Sequence, residues 1–243
     1  MKLPAAADRL LHGMHEFRGA TVPVILVAII AAGLYVFVEI ADEVAEAEIR
    51  GFDEWLLLAF RNPDDLSLAI GPPWLAESVA EITALGGYTL IVIIVAAVIG
   101  FLLVAGRYGP ALYVFLSVSV GTVVSTLLKF AYERPRPDLV DHLVTTHTAS
   151  FPSGHATMSA VVYLTLAAIL MRMVDDWRLR AYVLFAAIGL TVMVGLSRVY
   201  LGVHWPSDVI AGWALGAAWA SLAWLVVTLI RLWRRRNRPA DAR

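Results

Sequence analysis

The chain has 243 residues, of which 60% are hydrophobic and only 16% are charged, and its formal net charge at pH 7 is −1. A water-soluble domain carries about 25% charged residues, so this composition excludes a soluble globular monomer and also a disordered chain. The small net charge gives no basic field for nucleic acid, and the lack of cysteine excludes disulfides, Cys-ligated zinc and thiol nucleophiles.

Six stretches are apolar enough to predict membrane-spanning helices, since a span needs about 20 mostly apolar residues. They cover residues 21–40, 88–105, 111–130, 156–171, 182–196 and 209–230. The fourth and fifth are short, so we expect their helices to extend into neighbouring polar residues. Because no internal repeat or linker separates the spans, we predict an all-α fold: a six-transmembrane helix bundle that forms one integral-membrane domain over residues 1–243.

The loop between the first two spans, residues 41–84, contains two amphipathic segments. Residues 52–60 combine Trp55 with a run of leucines, and Leu75, Val79 and Ile82 recur at helical spacing. These patterns predict two short amphipathic interfacial helices. They favour either a lid for a lipid substrate or simple packing over the bundle.

The sixth span contains a Gly-x-x-x-Gly motif formed by Gly212 and Gly216. Two glycines at this spacing let another helix approach closely. The motif is typical of helix contacts, either inside the bundle or in a homodimer.

The distribution of basic residues predicts the orientation. Of the 19 Lys and Arg residues, 13 fall on the side that holds both termini, including a basic tail over residues 231–243. The positive-inside rule assigns this side to the cytoplasm. The excess of Arg over Lys, the short loops and the small size suggest a bacterial protein. We therefore expect a multi-pass protein of the bacterial plasma membrane, with the opposite helix ends facing the periplasm or exterior.

Three basic residues on the outer side, Lys129, Arg136 and Arg198, lie at or near the ends of spans. A charged side chain at membrane depth is costly and suggests a functional role. The alternative is that these long side chains, at the ends of helices, only extend to the polar interface and have no function there. Polar groups at the start of two spans favour function. Ser153 and Gly154 occupy a helix start, where free N–H groups bind anions and glycine allows close approach to a ligand.

Two histidines complete a set of groups suited to phosphate chemistry. His155 follows Gly154, and His204 stands four residues before Asp208 at the start of the last span, within reach of a carboxylate–imidazole hydrogen bond. His204, oriented by Asp208, is a candidate nucleophile that would form a phosphohistidine. His155 is the candidate general acid and then the base that activates water.

These residues resemble the three-part signature of the type 2 phosphatidic acid phosphatase superfamily. The matching segments are Lys129-x6-Arg136-Pro137, Pro152-Ser153-Gly154-His155 and Ser197-Arg198-x5-His204-x3-Asp208, which cover residues 129–208 in order and without departure. The resemblance implies a membrane lipid phosphatase that uses no metal and no cofactor. It also implies the roles of the residues: phosphate binding by Lys129, Arg136, Ser153, Gly154 and Arg198, and catalysis by His155, His204 and Asp208.

Several functions stay open at this point. Among lipid phosphates we favour undecaprenyl diphosphate, with phosphatidylglycerophosphate, phosphatidic acid and lipid A phosphates as alternatives. A lipid phosphotransferase would use the same phosphohistidine with an acceptor other than water. A membrane transporter is the candidate from another class, but transporters carry their charges near the midplane, whereas these lie at span ends. The expected partners are the bilayer and the lipid phosphate.

Three further residues of the outer loop are assigned no catalytic role. Arg134 is expected to serve the loop structure, because the signature uses the second Arg-Pro pair. His142 and His147 have no partners at metal-ligand spacing and are expected to be solvated loop residues.

Overall fold

The computed structural model describes the backbone of residues 5–145 and 148–237, and the side chains of these residues from 21 onward except 235. Lys2, His147 and the tail beyond residue 237 lie outside the described residues, as do the side chains of Arg9 and Arg18. The described chain contains eight helices: α1 (Ala5–Glu46), α2 (Arg50–Leu58), α3 (Pro73–Ala84), α4 (Tyr88–Val104), α5 (Tyr108–Tyr132), α6 (Gly154–Met173), α7 (Trp177–Tyr200) and α8 (Pro206–Arg236).

Five of these helices are long and apolar enough to cross a membrane: α1 from Thr21 onward, α5, α6, α7 and α8. The helix α4 has 17 residues, about 26 Å of helix, and forms with α3 a pair bent by 44° that makes a sixth candidate span. The predicted all-α membrane bundle is confirmed, and the described residues give five candidate spans, or six if the bent pair counts as one. The expected extension of the two short spans is also confirmed, because α6 has 20 residues and α7 has 24.

The bend between α3 and α4 is packed tightly against two other helices. A Cβ atom at Gly86 would stand 2.3 Å from Val194 Cγ1 and 3.2 Å from the carbonyl oxygen of His155. Only glycine fits at this distance, so the bend places α3 directly against α7 and near the start of α6.

A short antiparallel hairpin, which the sequence did not predict, connects α2 and α3. Its strands are β1 (Arg61–Asn62) and β2 (Asp65–Ala69). A two-residue strand is too short to show the alternation that identifies strands. The buried Arg61 side chain joins the hairpin to the bundle, because its Nη1 donates a 2.8 Å hydrogen bond to the carbonyl oxygen of Tyr200 at the end of α7.

Both amphipathic segments of the first long loop form helices that pack on the bundle. In α2, Leu57 is fully buried while Trp55 is exposed. In α3, Leu75 and Val79 pack against the buried residues at the end of α7. Packing, one of the two roles expected for these helices, is therefore confirmed, and it brings α3 beside the outer ends of the spans.

Close contact between α6 and α8 explains the two glycines of the last span. A Cβ atom at Gly212 would lie 2.9 Å from the carbonyl oxygen of Ser153, and one at Gly216 would lie 2.6 Å from Ala160 Cβ. The Gly-x-x-x-Gly motif is thus used inside the bundle. Homodimerisation stays a prediction.

This contact predicts that Gly216→Ala is destabilising. The added methyl group would overlap α6 and cost about 1–3 kcal/mol, which a lower melting temperature in detergent would report. Gly189→Ala on α7 is the matched control, because no atom lies within 4 Å of a Cβ there. Equal melting temperatures of the two variants would contradict the packing described.

Candidate active site

The helices α5 and α7 end, and α6 and α8 begin, at the same end of the bundle. A cavity of about 410 Å³ lies at this end, lined by described residues of α3, α4, α5, α6 and α7 and of the loops that precede α6 and α8. Of the eight predicted site residues, six line this cavity: Lys129, Arg136, Gly154, His155, Arg198 and His204. The other two, Ser153 and Asp208, are fully buried behind it.

Three cations face the cavity, each held by an uncharged partner. Lys129 Nζ donates to the carbonyl oxygen of Ala149 at 2.8 Å, and Arg136 Nε donates to that of Thr148 at 2.9 Å. No carboxylate is among the described residues that line the cavity. The cavity therefore concentrates positive charge and suits an anion.

Arg198 is the most buried of these cations, with 3% of its surface exposed. Its Nη1 donates a 3.0 Å hydrogen bond to Thr83 Oγ1 of α3, and its buried Nε has no hydrogen-bond partner among the described residues. An unpaired buried donor is costly, so a bound anion that accepts this hydrogen bond would be stabilised. Thr83 was not identified from the sequence, because its partner lies far along the chain.

His204 is held between a carboxylate and a guanidinium. Its Nδ1 lies 3.3 Å from Asp208 Oδ2, and its Nε2 lies 3.3 Å from Arg136 Nη1. A proton on Nδ1 bonded to the carboxylate leaves the Nε2 lone pair directed toward the cations. Burial, with the charges of Arg136, Arg198 and Lys129, lowers the pKa of His204 well below its usual value. The lowered pKa favours the neutral imidazole, which is the form that can act as a nucleophile.

Asp208 is fixed by more partners than a single histidine. As the third residue of α8 it accepts a 3.0 Å hydrogen bond from the backbone N–H of Trp205, which caps the helix. The buried hydroxyl of Ser150 donates to the same carboxylate oxygen, and Arg134 Nη1 lies 2.6 Å from the other. These contacts allow the carboxylate little freedom to turn away from His204.

Arg134 is not the simple loop residue that the sequence suggested. Its guanidinium bridges two fully buried carboxylates, with Nη1 on Asp208 and Nη2 2.7 Å from Asp53 Oδ2. Asp53 also accepts hydrogen bonds from the backbone N–H of Ser207 at 2.8 Å and from its hydroxyl at 2.6 Å. Burial raises the pKa of Asp53, and the hydrogen bonds from Ser207 and Arg134 oppose that rise. We refer to Asp53, Arg134 and Asp208 as the buried ion triad.

Sequence reasoning missed Asp53, although a signal was present. Asp53 and Leu57 are four residues apart on α2 and therefore share one helix face. Leu57 is fully buried, so a carboxylate on the same face must also be buried and needs a partner. The identity of that partner could not be derived from the spacing.

The start of α6 combines a helix cap with a close approach. Ser153 is the N-cap, and its Oγ accepts a hydrogen bond of 3.5 Å from the backbone N–H of Ala156. A Cβ atom at Gly154 would lie 3.3 Å from Lys129 Cε, so glycine leaves room for the lysine beside the N–H groups of the helix start. His155 lies next to this opening and lines the cavity.

In the loop before α6, His142 is the histidine within the described residues, and it does not line the cavity. His142 is exposed, and its Nε2 is 2.7 Å from the carbonyl oxygen of Pro137. This contact is local and agrees with the expected loop role.

Similar proteins are found by sequence and by fold. Residues 110–232 match the family model of the PAP2 superfamily. The chain is 32% identical over 153 residues to phosphatidylglycerophosphatase B of Bacillus subtilis, across 62% of this chain and 74% of that protein. It is 44% identical over 72 residues to an undecaprenyl-diphosphatase of Sulfolobus acidocaldarius, across 30% of each. The crystal structure of a transmembrane PAP2 type phosphatidylglycerolphosphate phosphatase from Bacillus subtilis superimposes with a TM-score of 0.73 at 26% identity, covering 87% of this chain and 98% of that one.

The buried ion triad predicts a large effect for Arg134→Gln. Removing the cation leaves Asp53 and Asp208 buried without their shared partner, and breaking such a buried pair costs about 3–5 kcal/mol. We expect a lower melting temperature. At temperatures where the variant is still folded, we expect a lower kcat with a nearly unchanged KM. Arg134→Lys should restore part of both, because it returns the charge but not the two-pronged geometry.

Arg50→Gln is the matched control for this prediction. Arg50 also pairs with a carboxylate, Glu54 at 2.7 Å, but the pair is exposed and contributes little. If Arg134→Gln behaved like Arg50→Gln in both stability and kcat, the triad would have no role in positioning Asp208.

Proposed function

The chain belongs to the PAP2 superfamily, and on that basis we propose that it is an integral-membrane lipid phosphatase whose phosphorylated intermediate forms on His204. The main support is the environment of His204, with Nδ1 at the buried Asp208 and Nε2 toward three cations. A neutral imidazole in this position can attack a phosphorus atom whose charge is already neutralised.

In the first half of the reaction, the Nε2 lone pair of His204 attacks the phosphorus atom. A P–N bond forms, and the bond between phosphorus and the lipid oxygen breaks. His155 gives its proton to the departing oxygen. Lys129, Arg136 and Arg198 stabilise the charge on the other phosphate oxygens, and Asp208 stabilises the imidazolium.

In the second half of the reaction, a water molecule attacks the phosphorus atom bound to His204. His155, now neutral, takes a proton from the water, and the P–N bond breaks to release phosphate. The three cations supply the charge neutralisation, so we propose that the reaction needs neither a metal ion nor a cofactor. A lipid alcohol in place of water would make the enzyme a phosphotransferase.

An apolar groove beside the cavity supports a lipid substrate. It has a volume of about 320 Å³ and lies between α3 and α7, where it is lined by residues that include Val79, Ile82 and Leu196. The groove and the cavity are adjacent, because Thr83 and Arg198 line the cavity and each directly follows a groove residue in the sequence. We propose that the hydrocarbon chain of the substrate occupies this groove while its phosphate contacts Arg198.

Phosphatidylglycerophosphate is the substrate with the widest support from similar proteins. The Bacillus subtilis phosphatidylglycerophosphatase B is matched over 74% of its length, whereas the undecaprenyl-diphosphatase is matched over only 30%. We therefore propose phosphatidylglycerophosphate as the substrate, with lipid A phosphates and undecaprenyl diphosphate as alternatives. The excess of basic residues at the opposite helix ends supports a cavity that faces the periplasm or exterior and termini in the cytoplasm.

Trapping the intermediate tests the proposed mechanism. Purified protein incubated briefly with radiolabelled phosphatidylglycerophosphate and quenched in alkali should carry an acid-labile label, and His204→Ala should carry none. Asp208→Asn should slow label formation by on the order of 10⁴-fold, because the imidazole loses its oriented tautomer. Undiminished label on His204→Ala would refute the assignment, and phosphate release by that variant at the wild-type rate would refute the mechanism.

The role of His155 predicts a dependence on the leaving group. His155→Ala should slow hydrolysis of a lipid phosphate by about 10²–10⁴-fold, because an alkoxide leaves poorly without a proton. The loss should be much smaller for p-nitrophenyl phosphate, whose leaving group is stable as an anion. Lys129→Gln is the control and should slow both substrates alike, since it removes phosphate binding. Equal losses for His155→Ala on both substrates would make His155 a binding residue instead.

A further inference from the structure

A second group of cations lies at the opposite ends of the helices that form the catalytic cavity. Arg107, Arg172 and Arg231 line a cavity of about 150 Å³ between the start of α5 and the ends of α6 and α8. The helix α5 has 25 residues and a length of about 37 Å, more than the thickness of a bilayer core. This arginine cavity therefore lies at the opposite end of the bundle from the catalytic cavity.

The arginine cavity is more than a set of cations at helix ends. Its arginines come from three separate elements, and the start of α5 adds free backbone N–H groups and a positive dipole end. The Arg172 guanidinium lies 4.8 Å from the ring centre of Trp224, and that ring contacts Tyr113 edge to face at 5.8 Å. Arg172 is thus held at the cavity by aromatic packing instead of extending freely into water.

No acidic residue is among the described residues that line this cavity. The nearby acidic residue Asp175 in the loop after α6 is paired at 3.7 Å with Arg180, a different arginine. Arg107 and Arg172 on this lining make the cavity cationic, and its complement is an anionic group of about phosphate size.

An apolar groove continues from the arginine cavity along α5 and α8. Its volume is about 440 Å³, and it shares Gly109, Tyr113 and Val227 with the arginine cavity. Along this groove, Leu116 and Val226 leave almost half of their surface exposed on the side of the bundle that faces lipid. A cationic cavity that opens directly into an apolar groove matches one kind of molecule, a charged headgroup attached to a hydrocarbon chain.

We propose that the arginine cavity and the α5–α8 groove together bind one anionic phospholipid from the leaflet opposite the catalytic cavity. The phosphate of its headgroup contacts Arg107, Arg172 and Arg231, and one acyl chain lies along the groove. The bound lipid connects α5, α6 and α8, the three helices whose other ends carry Lys129, His155 and Asp208. This proposal does not depend on the catalytic mechanism, because the lipid is a ligand and not a substrate.

Native mass spectrometry of the purified full chain tests this site. The protein is equilibrated in mild detergent with phosphatidylglycerol or with phosphatidylcholine of the same chain length, and the retained lipid is counted. We expect one retained phosphatidylglycerol and much weaker retention of phosphatidylcholine. Arg107→Gln and Arg172→Gln should each reduce phosphatidylglycerol retention about 5-fold, since each removes one cation from the headgroup. Arg178→Gln, at the same end of the bundle but outside the cavity, should have no effect.

Two further measurements separate this lipid from other ligands. Leu116→Trp fills the groove without changing any charge, and it should also reduce retention because it displaces the acyl chain. Arg136→Gln removes a cation of the catalytic cavity and should leave retention unchanged. Equal retention of the two lipids, full retention in both Arg107→Gln and Leu116→Trp, or displacement of the lipid by millimolar inorganic phosphate would each overturn the proposal.

Discussion

The buried ion triad of Asp53, Arg134 and Asp208 is the contact on which the catalytic end of the bundle depends. Two carboxylates without access to water are stable only because one guanidinium lies between them and hydrogen bonds satisfy their remaining oxygens. One carboxylate comes from the loop helix α2 and the other from the start of α8. The triad therefore fixes α8, and with it His204, relative to a loop that leaves the membrane-spanning bundle.

This arrangement also separates charges of opposite sign within a small volume. The carboxylates lie behind the site with Arg134, whereas Lys129, Arg136 and Arg198 face the cavity without an acidic neighbour on its lining. If Asp208 faced the cavity, it would repel phosphate. By placing it behind His204, the fold lets it hold the imidazole while the ligand meets only cations.

The two ends of the bundle share one arrangement of charge and apolar surface. At each end, basic residues from separate helices and loops meet at one cavity, and an apolar groove lies beside it. In the proposed catalytic site the adjacent histidines turn phosphate binding into hydrolysis. The proposed lipid site lacks a histidine among its described lining residues, so the same combination of charge and apolar surface would only bind.

The sequence by itself determined the membrane character, the approximate positions of the spans and six of the residues that line the proposed catalytic cavity. These follow from local patterns, because apolar runs define spans and Lys129, His155 and Arg198 stand at the ends of those runs. Only the tertiary structure decided how Asp53, Thr83 and Arg134 contribute. Their partners are distant in sequence, and helical periodicity shows which face of a helix is buried without showing what it meets. Arg107, Arg172 and Arg231 are also distant in sequence, so only the folded chain shows that they line one cavity.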